Sequence, residues 1–294
     1  MDGDAGRCAR PAGKASPMTT TLAPLRAGRP RGRLFARFDR EITAAGLPEG
    51  PGDERPVTDD DIAGLPPAVQ RYLRFMGIVG RARDWSFRAR FAGRFRLRPD
   101  GPWMPAQAWQ YNTAIPTARV FVMRIRFAGV IPMVGVDSYL GGRGRMLGKL
   151  LRVVTVADGE GEEFDIGELT TYLNDAVLLA PSFLLRPAVT WAEVDDTAFD
   201  VALADSGRIV TGRVSVDERG APVDFCSRDR FAVLRGGLQR AEWRTPIAGW
   251  TRTVEGRALP GPLAAMWALP EGDLTYFEGR IDPAACAFNI APGR

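Results

Sequence analysis

From Trp85 onward the chain alternates in steps of two. In WSFRARFAGRFRLR (85–98) one set of positions reads Phe87, Ala89, Phe91, Gly93, Phe95, Leu97, and the other Arg88, Arg90, Ala92, Arg94, Arg96, Arg98. Successive side chains of a strand point to opposite faces, so this segment predicts a strand with one apolar and one cationic face. Similar runs at 106–113, 119–128, 143–156, 198–204, 207–216, 222–234, 238–247, 250–257 and 273–281 predict about ten short strands in all. Pro-Asp-Gly (99–101), Asp-Ser-Gly (205–207) and Glu-Arg-Gly (218–220) supply turns between several of them. Consecutive short strands imply a large, mainly antiparallel sheet, curved or barrel-like.

Elsewhere the period changes to that of a helix. Leu34, Phe35, Phe38, Ile42 and Ala45 predict a short amphipathic helix over 34–46. After a Gly/Pro-rich break, Thr58 with Asp61 reads as a helix cap, and a second helix starts at Pro66/Pro67 and ends at Gly77 and Gly80. In DIGELTTYLNDAVLLAP the residues Ile166, Leu169, Leu173, Ala176, Val177 and Ala180 fall on one arc, and Pro181 stops the helix. Set between two halves of a curved sheet, that helix is expected to pack into the concave face. The expected architecture is α+β: a half-barrel or barrel-like sheet on one central helix, with short N-terminal helices, in a single domain over 34–294. Residues 1–33 have no apolar periodicity and are expected to form a disordered basic arm.

Composition removes whole classes of chemistry. The chain contains no histidine, which excludes Ser-His-Asp and Cys-His catalysis, HExxH zinc sites and the usual near-neutral acid/base. Any chemistry would fall to carboxylates, Tyr, Lys or an oxygen-ligated metal. Residues 1–40 hold nine basic against three acidic residues and the rest 30 against 32, so the net charge of +4 belongs to the arm. The arm lacks the apolar core of a secretory signal, and Met18 offers an alternative start. Weak contact of the arm with an anionic membrane surface is the one membrane role it suggests. Cys8, Cys226 and Cys286 form neither a CxxC pair nor an even set, so the spacing speaks against a disulfide scaffold and a structural zinc, and fits a reducing cytoplasm. No apolar run reaches the roughly 20 residues of a membrane-spanning helix.

DSYLGGRGRMLGKL (137–150) invites a phosphate-loop reading and refuses it. Gly148-Lys149 is followed by Leu150, position 143 is Arg, and position 147, where a dinucleotide fingerprint needs its third glycine, is Leu. Gly141, Gly142 and Gly144 read better as a turn or bulge between strands.

Four motifs in fixed order carry a resemblance: LPPAVQRYLRFMGIVG (65–80), DSYLGGRGRM (137–146), GELTTYLNDAVLLAPSFLL (167–185) with Trp191, and RTPIAGW…GRALPGPLAAMWALPEGDLTYF (244–277). Together they resemble a bacterial family of unknown function, over about residues 57–290. The family's helix usually has Glu where this chain has Asp175. The resemblance implies no activity, cofactor or metal. A half-barrel with a helix in its mouth is also similar in outline to lipoprotein-carrier and lipid-binding half-barrels, an analogy of fold that does not fix function.

Three groups of residues are candidates for function. Asp137, Tyr139, Glu168 and Asp175 are the candidate catalytic residues of a histidine-free, hydrolase-like enzyme. For the helical acids the competing expectation is structural, because Asp165-x-x-Glu168 has the spacing of a capping box. Eight arginines and one acid, Asp100, lie between 85 and 130. That face suits an anionic ligand, or else pairs with Asp224, Asp229 or Glu242. Nucleic acid is disfavoured, since the phenylalanines alternate to the other face. Phe87, Phe91, Phe95, Trp109, Phe121, Met123, Phe127, Trp191 and Trp243 are expected to share the apolar face. The leading expectation is a binder of an apolar or amphipathic, lipid-like small molecule between sheet and helix, with Arg88, Arg90, Trp109, Tyr172 and Trp191 contacting it. A structural or interaction module is the remaining alternative.

Overall fold

The computed structural model describes Cys8 and residues 32–50, 52–53, 55–127, 130–150, 154–234, 237–253 and 255–293. Its strands are β1 (Ser86–Phe95), β2 (Met104–Thr113), β3 (Ala118–Phe127), β4 (Ile131–Leu140), β5 (Arg143–Leu150), β6 (Val154–Glu160), β7 (Val189–Asp195), β8 (Ala198–Asp205), β9 (Arg208–Val216), β10 (Pro222–Leu234) and β11 (Gly237–Pro246). They continue as β12 (Trp250–Arg252), β13 (Ala258–Pro260), β14 (Leu263–Ala268), β15 (Leu274–Ile281) and β16 (Ala287–Phe288). The helices are α1 (Arg33–Ala44), α2 (Asp59–Ala63), α3 (Pro67–Met76) and α4 (Glu162–Leu179).

One antiparallel sheet runs in the order β6-β5-β4-β3-β2-β1-β15-β14-β11-β10-β9-β8-β7, with β16 also paired to β1. It is two meanders, β1–β6 and β7–β11, joined in the middle by β14 and β15. The sheet curls into a half-barrel, and α4 links its two edge strands by crossing the enclosed face. The curl brings the β4–β5 hairpin to the β8–β9 hairpin. There the Tyr139 hydroxyl donates to Asp205 at 2.7 Å and Arg208 donates to the Gly142 carbonyl at 3.1 Å.

The turn in the 137–150 segment is as the sequence predicts. Gly141 and Gly142 take φ of 57° and 77° between β4 and β5, a conformation that costs other residues steric strain. Gly144 serves a different need. A Cβ there would lie 2.0 Å from the Phe164 carbonyl oxygen, so only glycine lets the hairpin seat against the first turn of α4.

Helix α1 buries Leu34, Phe38 and Ile42, spaced as its amphipathic pattern requires. It packs with Trp109, Tyr111, Val120, Val122 and Val136 on the sheet face opposite α4. Helix α2 carries the expected Thr58–Asp61 capping box, and α3 starts at Pro67 and closes on left-handed Gly77. The Tyr72 hydroxyl ties α3 to the Val177 carbonyl of α4 at 2.8 Å.

Several expectations need correction. Helix α4 begins at Glu162 with Gly161 at its N-cap, so Asp165 and Glu168 are interior residues and not a capping box. Strand β4 was not anticipated, because Pro132 and Gly135 break its alternation. The expected strand at 143–156 is two strands, with 151–153 outside the described residues. Trp109 lies on the arginine face and not with the phenylalanines, because the register sets it opposite Arg90. The side chain of Phe127 lies outside the described residues. The arginines of β1 pair with β15 and its exit, not with Asp224, Asp229 or Glu242: Arg94 meets Glu278 at 2.6 Å and Arg90 meets Asp282 at 3.2 Å. The physical reason is strand order, which places β15 beside β1, whereas β11 with Glu242 is three strands away and β10 with Asp224 and Asp229 is four.

The cysteine expectation also fails. Cys8 and Cys226 form a disulfide, with Arg213 donating to the Cys8 carbonyl at 3.1 Å. Two cysteines 218 residues apart leave no spacing signal to read. The rest of the expected arm, apart from Gly32 and Arg33, lies outside the described residues.

Candidate functional site

Helix α4 has five acids, Glu162, Glu163, Asp165, Glu168 and Asp175, and no lysine or arginine. The half-barrel surrounds it, and both Glu168 and Asp175 are buried. A buried carboxylate must find its counter-charge and donors on neighbouring elements. Arg119 of β3 provides both: its Nε donates to Asp175 and its Nη1 to Glu168, each at 2.8 Å. Gln110 and Asn112, successive inward positions of β2, donate to Asp175 at 2.6 and 3.4 Å. Asp137 faces the same space from β4, its charge acting on Arg119 and Glu168. From the other side comes Arg230 of β10, whose guanidinium lies 4.4 Å over the ring of Trp243 and 5.6 Å over Trp267.

The cluster therefore holds three carboxylates and two guanidiniums. One acid is in excess, and burial penalises every charged form. Burial raises the pKa of Asp137 and of Asp175, with Arg119 opposing it. Burial also pushes Glu168 up to about 7, again against Arg119. The excess acid is thus relieved by a proton held within the cluster, with Glu168 raised into the neutral range.

The sign of the resulting pH dependence follows from that direction. The ordinary value for Glu168 is 4.5 and its folded value about 7. Its contribution to stability is complete below the ordinary value and lost as pH rises through the folded one. Glu168→Gln, which resembles the protonated acid, is expected to melt with the wild type near pH 4 and above it near pH 8. Thermal unfolding across that range checks this; parallel profiles would contradict it.

The other candidate residues separate. Tyr139 is committed to Asp205. Tyr172 lies beside the cluster and donates to the Thr113 carbonyl at 2.9 Å. Trp191 sits on edge strand β7, against Tyr72 and Phe199. Arg88, Arg90 and Trp109 are on the opposite face of the sheet, with Arg88 over Phe35 and Arg90 over Trp109. The expected ligand contacts therefore do not share one face. Sequence reasoning missed Gln110, Asn112 and Arg230, and counted Arg119 only as one arginine among eight.

Space for a ligand is distributed unevenly. A crevice of about 30 Å³ between the start of α4 and β10–β11 reaches Glu168 and Arg230, room for about one or two water molecules. A groove of about 160 Å³ lies on the other face, beneath α1. Its floor is Pro132, Val134 and Val136 of β4 with Leu147 of β5, and Leu34 closes it. Its rim is Arg33, Arg37, Arg124 and Lys149. The registers explain the arrangement, since Val134 is paired with Arg124 on one side and Lys149 on the other. Among the described residues no acid lines this groove; beside it, Glu41 pairs with Arg37 at 2.5 Å. Burial lowers the pKa of Arg124, with Arg126 adding repulsion, and Arg124 donates to Gln107 at 2.7 Å.

Among the described residues, Cys8, Cys226 and Glu242 bring metal-ligand atoms within 4.8 Å of one another. The two sulfurs are bonded to each other, and Glu242 is held by Arg228 at 3.2 Å. No described helix is long and apolar enough to cross a membrane.

A search of curated proteins finds no match. Among solved structures, the chain is similar to a putative outer membrane lipoprotein-sorting protein domain from Vibrio parahaemolyticus, at 9% identity and a TM-score of 0.35, covering 69% of this chain and 85% of that one. It is similar to a LolA superfamily protein from Nitrosomonas europaea at 12% identity and a TM-score of 0.37, covering 72% and 90%. A DUF1329 family protein from Desulfovibrio piger aligns at 8% identity and a TM-score of 0.41, covering 75% and 91%. All three likenesses are distant. Residues 55–279, a span that contains all four ordered motifs of the sequence, match the sequence profile of DUF6544, and the chain belongs to this family of unknown function.

Proposed function

We propose that the protein binds a small anionic amphiphile in the groove between α1 and β3–β5. The observation that carries this is a single one: an apolar floor of Val134, Val136 and Leu147 ringed by four cations and, among the described residues, no acid. An apolar chain gains by leaving water for that floor. An anionic head, carboxylate or phosphate, is held at the rim, where the guanidiniums offer paired donors and Lys149 a point charge. A cavity of about this volume takes a benzene-sized group, so the guest enters by a short chain or by the end of a longer one. Relative to the expectation from the sequence, the ligand still lies between sheet and helix, but the helix is α1 and not the central one. The space beneath α4 is taken by side chains and by the acid cluster. The Cys8–Cys226 bond further suits work in an oxidising compartment, where disulfides persist.

Hexanoate and 1-hexanol share a chain and differ in the head, so calorimetric titration of both separates floor from rim. Hexanoate is expected to bind about tenfold more tightly, the size of one charge-assisted hydrogen bond. An Arg124→Gln/Lys149→Gln variant is expected to lose that difference, and Val134→Trp to lose both ligands by filling the floor. Equal affinity of the wild type for acid and alcohol, or unchanged binding to Val134→Trp, would rule the reading out.

A further inference from the structure

A second cationic cleft, sharing no lining residue with the α1 groove, lies around the C-terminal half of α3. It has a volume of about 690 Å³ and is lined by Arg71, Arg74, Phe75, Arg219, Trp250 and Arg252. Four arginines and two aromatic rings line it and, among the described residues, no carboxylate does.

Two close backbone contacts build it. Gly220, at φ 85°, ends the β9–β10 turn, and a Cβ there would lie 2.5 Å from the Arg71 carbonyl. Gly77, at φ 73°, ends α3, and a Cβ there would lie 2.7 Å from the Gly256 carbonyl oxygen in the β12–β13 turn. Glycine at both places lets two turns close on one helix, and so carries Arg219 and Arg252 to Phe75. Their guanidinium carbons stand 5.9 and 4.6 Å from its ring centre. Trp250 braces the same ring edge-on at 5.6 Å and is itself fixed by donating to the Pro222 carbonyl at 2.8 Å.

The aromatic ring is thus a shelf for arginines. A guanidinium stacked on a ring keeps its N–H edge free to bind in the plane, the geometry that matches phosphate oxygens. The charge is only half compensated. Arg74 pairs with Asp59 and Arg219 with Asp217, each at 2.8 Å. Arg71 donates to the Asp196 carbonyl and Arg252 to the Gly256 carbonyl, neutral acceptors that leave both charges standing.

We propose that this cleft is a binding site for a phosphate group, separate from the α1 groove and independent of the function assigned to it. The phosphate arrives either on a small soluble molecule or as a lipid headgroup. Pyrophosphate tests the first source by calorimetry; vesicles of phosphatidylglycerol against phosphatidylcholine test the second by flotation. The variant is Arg71→Gln/Arg252→Gln, checked for an unchanged melting temperature, with Arg252→Lys as the conservative partner. The wild type is expected to bind pyrophosphate or the anionic vesicles, and the double variant to bind the same probe roughly tenfold or more weakly. Arg252→Lys, which keeps the charge but loses the stacked fork, is expected to fall between them. Binding to pyrophosphate alone assigns a soluble ligand and binding to vesicles alone a headgroup. Binding of neither probe, or equal binding by wild type and double variant, would overturn the site.

Discussion

Replacing Arg119 with methionine is expected to cost about 3–5 kcal/mol of folding stability above neutral pH, the usual size for removing one partner of a buried ion pair. Arg119 is the counter-charge of both Glu168 and Asp175, which are otherwise enclosed by the half-barrel. Methionine keeps most of the volume, so the loss reports charge and not a cavity. The two carboxylates left behind can escape only by protonation. Their pKa values, already raised by burial, rise further once the guanidinium is gone. The cost is therefore expected to shrink as pH falls toward 5, and denaturant unfolding at pH 5 and pH 8 measures it. A loss equal at both pH values would mean that Arg119 stabilises by packing alone. Because Glu168→Gln removes one of the two charges, it is expected to recover part of the loss in an Arg119→Met background at pH 8.

The second large effect is expected at Arg257, where alanine should also cost about 3–5 kcal/mol. Its two terminal nitrogens donate to the two oxygens of Asp84 at 2.8 and 2.9 Å, a fork-to-fork pair with both side chains buried. The guanidinium also lies 3.7 Å over the ring of Phe288. Ser182, just after α4, donates to Asp84 at 3.1 Å and accepts from its backbone at 2.9 Å. One arginine thus joins the entry to β1, the exit of α4, the β12–β13 hairpin and the C-terminal strand. Arg257→Ala leaves Asp84 charged and buried. The double variant Asp84→Asn/Arg257→Ala is expected to be more stable than Arg257→Ala alone, since it removes the orphaned charge. Strict additivity of the two substitutions in unfolding experiments would contradict the pairing.

Much of the half-barrel was legible because strands with one apolar face declare themselves. The alternation of 85–98 predicts β1, and the glycines at 141 and 142 predict the turn that the chain makes there. Strand β4 was hidden for a physical reason. Pro132 and Gly135 interrupt its pattern, and most of its positions are only half-buried, so the clean apolar/polar alternation of a half-exposed strand is absent. The acids of α4 were misread for a related reason. On an exposed helix, Asp165-x-x-Glu168 caps and faces solvent; on a helix enclosed by a curled sheet the same residues turn inward and need arginines from β3 and β9. A signal was present: five acids on a helix with no base at i+4 to answer them. Gln110 and Asn112 gave the opposite signal, since polar residues at alternate positions read as the solvent face of β2, whereas they line its buried one.

The ligand groove was illegible for want of any local pattern. Arg33 and Arg37 precede Arg124 and Lys149 by about ninety residues or more, and only the packing of Leu34 and Phe38 onto β2 and β3 brings the four together. The segment DSYLGGRGRMLGKL (137–150) divides by face. Asp137 and Tyr139 point toward α4, Gly144 admits the start of that helix, and Leu147 and Lys149 face the groove beneath α1.

On the reading proposed above, an anionic amphiphile lies on the α1 side of the sheet. Crystals grown with 6-bromohexanoate test it directly through the anomalous signal of the bromine. Bromine is expected over Val136 and Leu147, under Leu34, with the carboxylate toward Arg124 and Lys149. Bromine on the α4 side of the sheet, or a groove left empty at saturating ligand, would contradict it.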